Sequence, residues 1–101
     1  MDYINIGSTP PEEDCLPVGH PYSHPECRVY KRQLEREFPA GRFTVKSFPH
    51  DFGTYHEVVA WYGEELDTAT NEAAFEAECG KGEWDEEAKI ELIALGIKVV
   101  A

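Results

Sequence analysis

The sequence predicts an α+β domain: a small antiparallel β-sheet with helices packed on one face, in the order β-α-β-β-α-α. Three observations carry this. An apolar stripe of Cys27, Tyr30, Leu34 and Phe38 recurs at spacings of 3, 4 and 4, as a helix with one buried face requires. Two runs rich in aromatic and β-branched residues, Arg42–Phe48 and Tyr55–Tyr62, flank Pro49, His50, Asp51, Phe52 and Gly53, a connection suited to a hairpin. Two acidic stretches then each start behind an aspartate and hold small or aliphatic residues at helical spacing. The length of 101 residues predicts one domain, 1–101, with a small core.

In chain order, Tyr3–Ile6 is the first strand, and Gly7 stops it. Pro10, Pro11, Pro17 and Pro21 then exclude a helix or an inner strand, so 7–22 is a long loop. Ser23 is the expected N-cap of the first helix, with Glu26 completing a capping box and Pro25 tolerated in the first turn. Pro39 and Gly41 end it. Arg28, Lys31, Arg32 and Arg36 gather on its other side as the one basic patch of the sequence. In the hairpin, Phe43 and Val45 share a face, opposed either by Val59 and Trp61 or by Val58 and Ala60. The second helix is capped by Asp67 or Thr68, buries Ala69, Ala73 and Ala77 with Ala74 and Phe75 nearby, and ends near Cys79 and Gly80. Asp85 caps the third, Ala88, Leu92 and Leu95 are its buried positions, and Gly96 is the expected left-handed residue after it. Ile97–Val100 forms a short edge strand in this reading.

Charge sets the functional bounds. Nine Lys plus Arg face twenty Asp plus Glu, for a net −11. That balance argues against direct nucleic-acid binding and against the anionic membrane surface, both of which need clustered cations. No apolar run is long enough for a membrane span, and the N-terminus has neither the basic nor the apolar region of a secretory signal. Three cysteines, an odd number, with no such signal point to reduced thiols and a cytoplasmic protein.

Two constellations bear chemistry. Cys15, His20, His24 and Cys27 are zinc-preferred ligand types within thirteen residues, which makes a zinc-stabilised structural or regulatory module the competing reading. Their spacing lacks the paired knuckles of a structural zinc site, and Cys27 belongs to the apolar stripe, so no metal and no cofactor are expected. No nucleophile elbow, phosphate loop or dinucleotide fingerprint occurs, and the protein reads as a non-enzyme. Of the aromatic residues Phe48, Phe52, Tyr55, Trp61 and Tyr62, most are expected in the core, with Phe52 and Tyr55 near the turn as candidate interface anchors.

The second constellation is the acidic run. Residues 1–50 hold 7 acids and 6 bases, whereas 51–101 hold 13 acids and 3 bases. The candidate partner-binding residues are Glu64, Glu65, Asp67, Glu72, Glu76, Glu83, Asp85, Glu86, Glu87 and Glu91. Glu72 and Glu76, and Glu83, Glu87 and Glu91, are spaced by four, which on a helix sets carboxylates about 6 Å apart along one face. Regular negative charge of this kind imitates a nucleic-acid backbone and fits a groove built for phosphates. The plainer reading is a solvated helix face that serves solubility.

INIGSTPPEEDC (Ile4–Cys15), KSFPHDFGTYHEVV (Lys46–Val59) and WDEEAKIEL (Trp84–Leu92) resemble a family of small uncharacterised bacterial proteins found mainly in phages, prophages and other mobile elements. In size and charge the chain is similar to anti-CRISPR and other anti-defence proteins, several of which mimic DNA. The resemblance implies an inhibitor acting in the bacterial host's cytoplasm; either a monomer or a homodimer is expected. Its implied partner is a basic nucleic-acid-binding defence complex of the CRISPR effector type.

Overall fold

Strand pairing organises the chain. The computed structural model describes residues 1–6, 24–50, 53–80 and 84–97. Within them lie β1 (Asp2–Asn5), α1 (His24–Glu37), β2 (Phe43–His50), β3 (Gly53–Tyr62), α2 (Thr68–Cys79) and α3 (Glu86–Ala94). The element order and the α+β class match the sequence reading. β3 is the middle strand of a three-stranded sheet ordered β1-β3-β2, and both pairings are antiparallel. Ile6 prolongs β1 by donating its N–H to the Val58 carbonyl at 2.8 Å.

Phe43 stands opposite Ala60, Val45 opposite Val58, and Ile4 flanks Ala60 from β1. Side chains alternate along a strand, so Val58 and Ala60 are the pair that joins Phe43 and Val45 in the core. Val59 and Trp61 turn to the other face with Tyr3, Thr44, Lys46 and Phe48. There the Trp61 Nε1–H donates to Thr44 Oγ1 at 2.8 Å, and Lys46 Nζ lies 4.3 Å from the centre of the Tyr3 ring. Among the aromatics expected in the core, Tyr62 packs against it, while Trp61 and Phe48 flank Lys46. Phe52 and the side chain of Tyr55 lie outside the described residues, as do the 7–22 loop and Ser23.

The main core joins Ile6, Cys27, Tyr30, Leu34, Phe43, Val58, Ala60, Ala74 and Ala77. α1 and α2 both pack on β3, with α1 reaching β2 and α2 reaching β1. α3 departs from the expected arrangement. It packs on α1, where Val29, Ala88 and Leu92 form a second apolar cluster, and half-buried Trp84 touches both clusters. α1 is therefore buried on two sides, with Cys27, Tyr30 and Leu34 toward the sheet and Val29 toward α3.

The helix ends follow local chemistry. Asp67 and Asp85 cap α2 and α3 by accepting the Thr70 and Ala88 N–H groups, each at 2.7 Å. Gly63, with φ +150°, turns the chain from β3 toward α2, and Asn71 clamps it by accepting its N–H at 2.7 Å and donating to its carbonyl at 3.0 Å. α3 closes in a Schellman motif. Gly96 adopts φ +81°, its N–H reaches the Ile93 carbonyl at 3.0 Å, and the Ile97 N–H reaches that of Leu92 at 2.9 Å. Ile97 packs on the Leu92 cluster, the usual hydrophobic complement of that motif. Ile97 is thus a helix-closing residue rather than the start of an edge strand, and 98–100 lie outside the described residues.

Two core assignments change. In α2 the inner face is Ala73, Ala74 and Ala77, while Ala69 is exposed and Phe75 is 51 % exposed, its ring 5.3 Å from that of Tyr62. Alanines let this helix sit close to the sheet, and Phe75 falls at the rim. In α3, Ala88 and Leu92 are buried as expected, but Leu95, the C-cap, is exposed because the chain turns away there. Among the described residues no helix is long and apolar enough to cross a membrane.

Candidate functional site: the acidic surface

The ten candidate acids do not form one uniform face. Three at α3, Asp85, Glu87 and Glu91, are drawn onto α1. Arg36 Nη2 donates to both carboxylate oxygens of Asp85 at 2.8 Å, and its Nε lies 2.9 Å from Glu87 Oε2. Arg32 pairs with Glu91 at 2.6 Å. Buried Gln33 adds a neutral tie, its Oε1 accepting the Asp85 N–H at 3.0 Å. The Asp85 hydrogen bond, then the charges of Asp85, Glu87 and Glu91, push the Arg36 guanidinium further above its already high pKa. Two of the four basic residues of α1 therefore compensate the acids of α3 within one chain. Partly exposed pairs of this kind are worth about 0–1 kcal/mol each, and their main effect is to fix how α3 sits on α1.

The remaining acids divide by partner. Glu86 pairs weakly with Lys89 at 3.5 Å, and Glu65 pairs with the N-terminal ammonium of Met1. That ammonium, by hydrogen bond and then by charge, lowers the Glu65 pKa, and Glu65 in turn raises the ammonium's. Asp67 is engaged in its cap, and the Thr70 hydrogen bonds lower its pKa. Glu83 lies outside the described residues. Since α3 starts at Glu86, the expected four-residue ladder keeps only Glu87 and Glu91 on the helix.

Glu64, Glu72 and Glu76 differ from these. All three are exposed, and none forms an ion pair among the described residues. α2 carries no Lys or Arg at all. Half-exposed Phe75 lies on the same outward side of α2 as Glu72 and Glu76, so the open charge surrounds an aromatic ring. Sequence reasoning noted Phe75 only as a neighbour of the alanine stripe and did not single it out as an exposed aromatic. Its separation by three from Glu72 is the signal that could have found it.

The zinc set is not gathered in the described part of the chain. Cys27 is buried among apolar residues, and burial, then the charges of Glu26 and Glu57, push its thiol up to about 12. With no metal beside it, a thiol so held stays protonated. His24 is exposed at the start of α1, while Cys15 and His20 lie outside the described residues. No group of three or more His, Cys, Asp or Glu side chains is arranged around a common metal position among the described residues.

No protein-family model, no curated protein and no solved structure matches the chain.

Proposed function

We propose that the chain is a phage- or mobile-element-encoded binding protein rather than an enzyme. In this reading its acidic surface occupies a basic, nucleic-acid-binding surface of a host defence complex, as an anti-CRISPR inhibitor would. The observation that supports it is the open charge of α2, where Glu72 and Glu76 flank half-exposed Phe75 and no cation of that helix answers them, with exposed Glu64 in the preceding turn. A net charge of −11 steers such a protein toward a cationic groove, and an aromatic anchor supplies affinity that salt does not screen. The α3 acids add to the long-range field, while their short-range partners are already the α1 arginines.

The test is displacement of a labelled duplex from a purified CRISPR effector complex. Wild-type protein is expected to displace the duplex at about 50 mM salt and much less at about 200 mM. The triple variant E64K/E72K/E76K is expected to displace none while melting as wild type does. Equal displacement by that variant, or displacement indifferent to salt, refutes the acidic-face reading and leaves the charge as a solubility coat.

A further inference from the structure

Away from the acidic helices, two imidazoles meet where α1 begins against the hairpin. His24 is the first residue of α1 and is exposed, while His56 lies on β3 and is half-buried. Their ring centres are 5.1 Å apart with planes at 69°. Ser47 stands directly opposite His56 in the β2–β3 ladder, and its Oγ lies 2.7 Å from His56 Nδ1. Ser47 therefore occupies one nitrogen of His56 and leaves Nε2 for another partner.

That spacing has a chemical meaning. A zinc-class dication binds an imidazole nitrogen at about 2.0–2.1 Å, so each ring centre stands about 3.2 Å from the ion. Two imidazoles at a tetrahedral angle are then about 5.2 Å apart, close to the separation found here. A ligating histidine normally gives its other ring N–H to a neighbouring oxygen, which fixes the tautomer and the ring orientation. Ser47 Oγ is placed for that role.

We propose that His24 and His56 form a two-imidazole site for a late first-row dication such as Zn²⁺, with Ser47 as a positioning residue and water completing the coordination. Imidazole suits zinc, copper and nickel, and an open site on two ligands binds reversibly rather than holding the fold together. The site is independent of the acidic-surface reading and differs from the cysteine-containing set, because Cys27 is closed off in the core.

Calorimetric titration of the reduced full-length chain with Zn²⁺ near neutral pH tests it, with proton NMR of the imidazole C–H signals alongside. Wild-type protein is expected to bind a single ion and to shift the signals of two histidines. H24N and H56N are expected to lose that binding, C27S to keep it, and S47A to weaken it about 10- to 100-fold. His24 is exposed, so H24N leaves the fold intact and keeps the test decisive even where H56N unfolds. No zinc binding by the wild type, undiminished binding by H24N, or undiminished binding by folded H56N overturns the proposal. Loss of binding in folded C27S also overturns it, in favour of the cysteine set.

Discussion

Leu92→Ala measures whether α3 is held on α1. Leu92 is fully buried, and among the described residues its cluster contains only Val29 and Ala88 as buried partners, with half-buried Trp84 and Ile97 at the border. Truncation removes roughly 2 kcal/mol of transfer free energy, at about 0.8 kcal/mol for each lost CH₂. The remaining cavity adds to this, and measured Leu→Ala losses run from about 2.7 to about 5 kcal/mol. Because the cluster is small and bordered by half-buried residues that can relax, the lower end applies, about 3 kcal/mol. A domain of this size holds about 5–15 kcal/mol in total, so the loss is a large fraction of it. At about 4–8 °C per kcal/mol, the melting temperature falls by roughly 12–24 °C. The control is Ile90→Ala, since Ile90 is 66 % exposed on the same helix and its truncation is worth within about 0.5 kcal/mol. Paired thermal or urea melts read both variants. If Leu92→Ala shifts the midpoint no more than Ile90→Ala, α3 is not docked through this face, and the α1–α3 ion pairs do not occupy the acids of α3.

Gly96→Ala strains a residue at φ +81° and is expected to destabilise by about 1 kcal/mol. Gly80→Ala, at φ −95° with its nearest neighbour at 3.5 Å from the added carbon, is expected to be neutral or stabilising; equal losses in denaturant melts disprove the Schellman assignment. In a Cys15→Ser background, Cys79 is expected to react with a thiol reagent in the native state, whereas Cys27 reacts only on unfolding; native modification of Cys27 contradicts its place in the core. The Met1–Glu65 pair links stability to pH in two directions. Glu65 has a lowered folded pKa, so its contribution is present above the ordinary carboxylate range and fades as pH falls. The ammonium has a raised one, so its contribution is present below the ordinary amine range and fades as pH rises. N-terminal acetylation is expected to flatten the stability profile on the alkaline side, and an unchanged profile excludes the pair.

What the sequence makes legible is what chain-local chemistry decides. Asp67, Asp85 and Gly96 mark helix ends by bonds made within a few residues, and each does so in the structure. β3 is harder, because both of its faces are apolar. Val58 and Ala60 face the helices, while Val59 and Trp61 pack beside Thr44 and Tyr3, so alternation alone leaves the register open. α2 misleads because alanines carry little periodic signal: Ala69 shares the spacing of Ala73 and Ala77 yet is exposed, and Phe75, beside that stripe in sequence, lies at the rim. α3 has aliphatic residues on all sides, so Leu92 is not separable from Ile90 and Ile93 without knowing where α1 lies. The two-sidedness of α1 is equally hidden. Val29 and Gln33 fall off its main apolar stripe, and both are buried because α3 comes to meet them.

The same distinction governs the charge. Counted along the chain, 13 acids against 3 bases in residues 51–101 suggest one continuous negative surface. Folding brings Arg32 and Arg36 from the nearly neutral half onto α3, across 49 positions in the case of Arg36 and Asp85. Pairing leaves the net charge of −11 unchanged, so long-range steering survives it. Contact with a partner is different, because a carboxylate already held by a guanidinium has less to gain from a second cation. In the proposed reading the two roles therefore fall on different helices. Reversing Glu72 and Glu76 is then expected to remove both steering and contact. Reversing Glu87 and Glu91 also breaks the α1–α3 ion pairs and so acts on stability as well as on the field. A binding loss that tracks α2 substitutions at constant net charge, for example E72K paired with K89E, separates contact from field. If binding followed net charge alone, whichever helix carried it, no docked α2 face would be needed, and diffuse attraction would account for the whole effect.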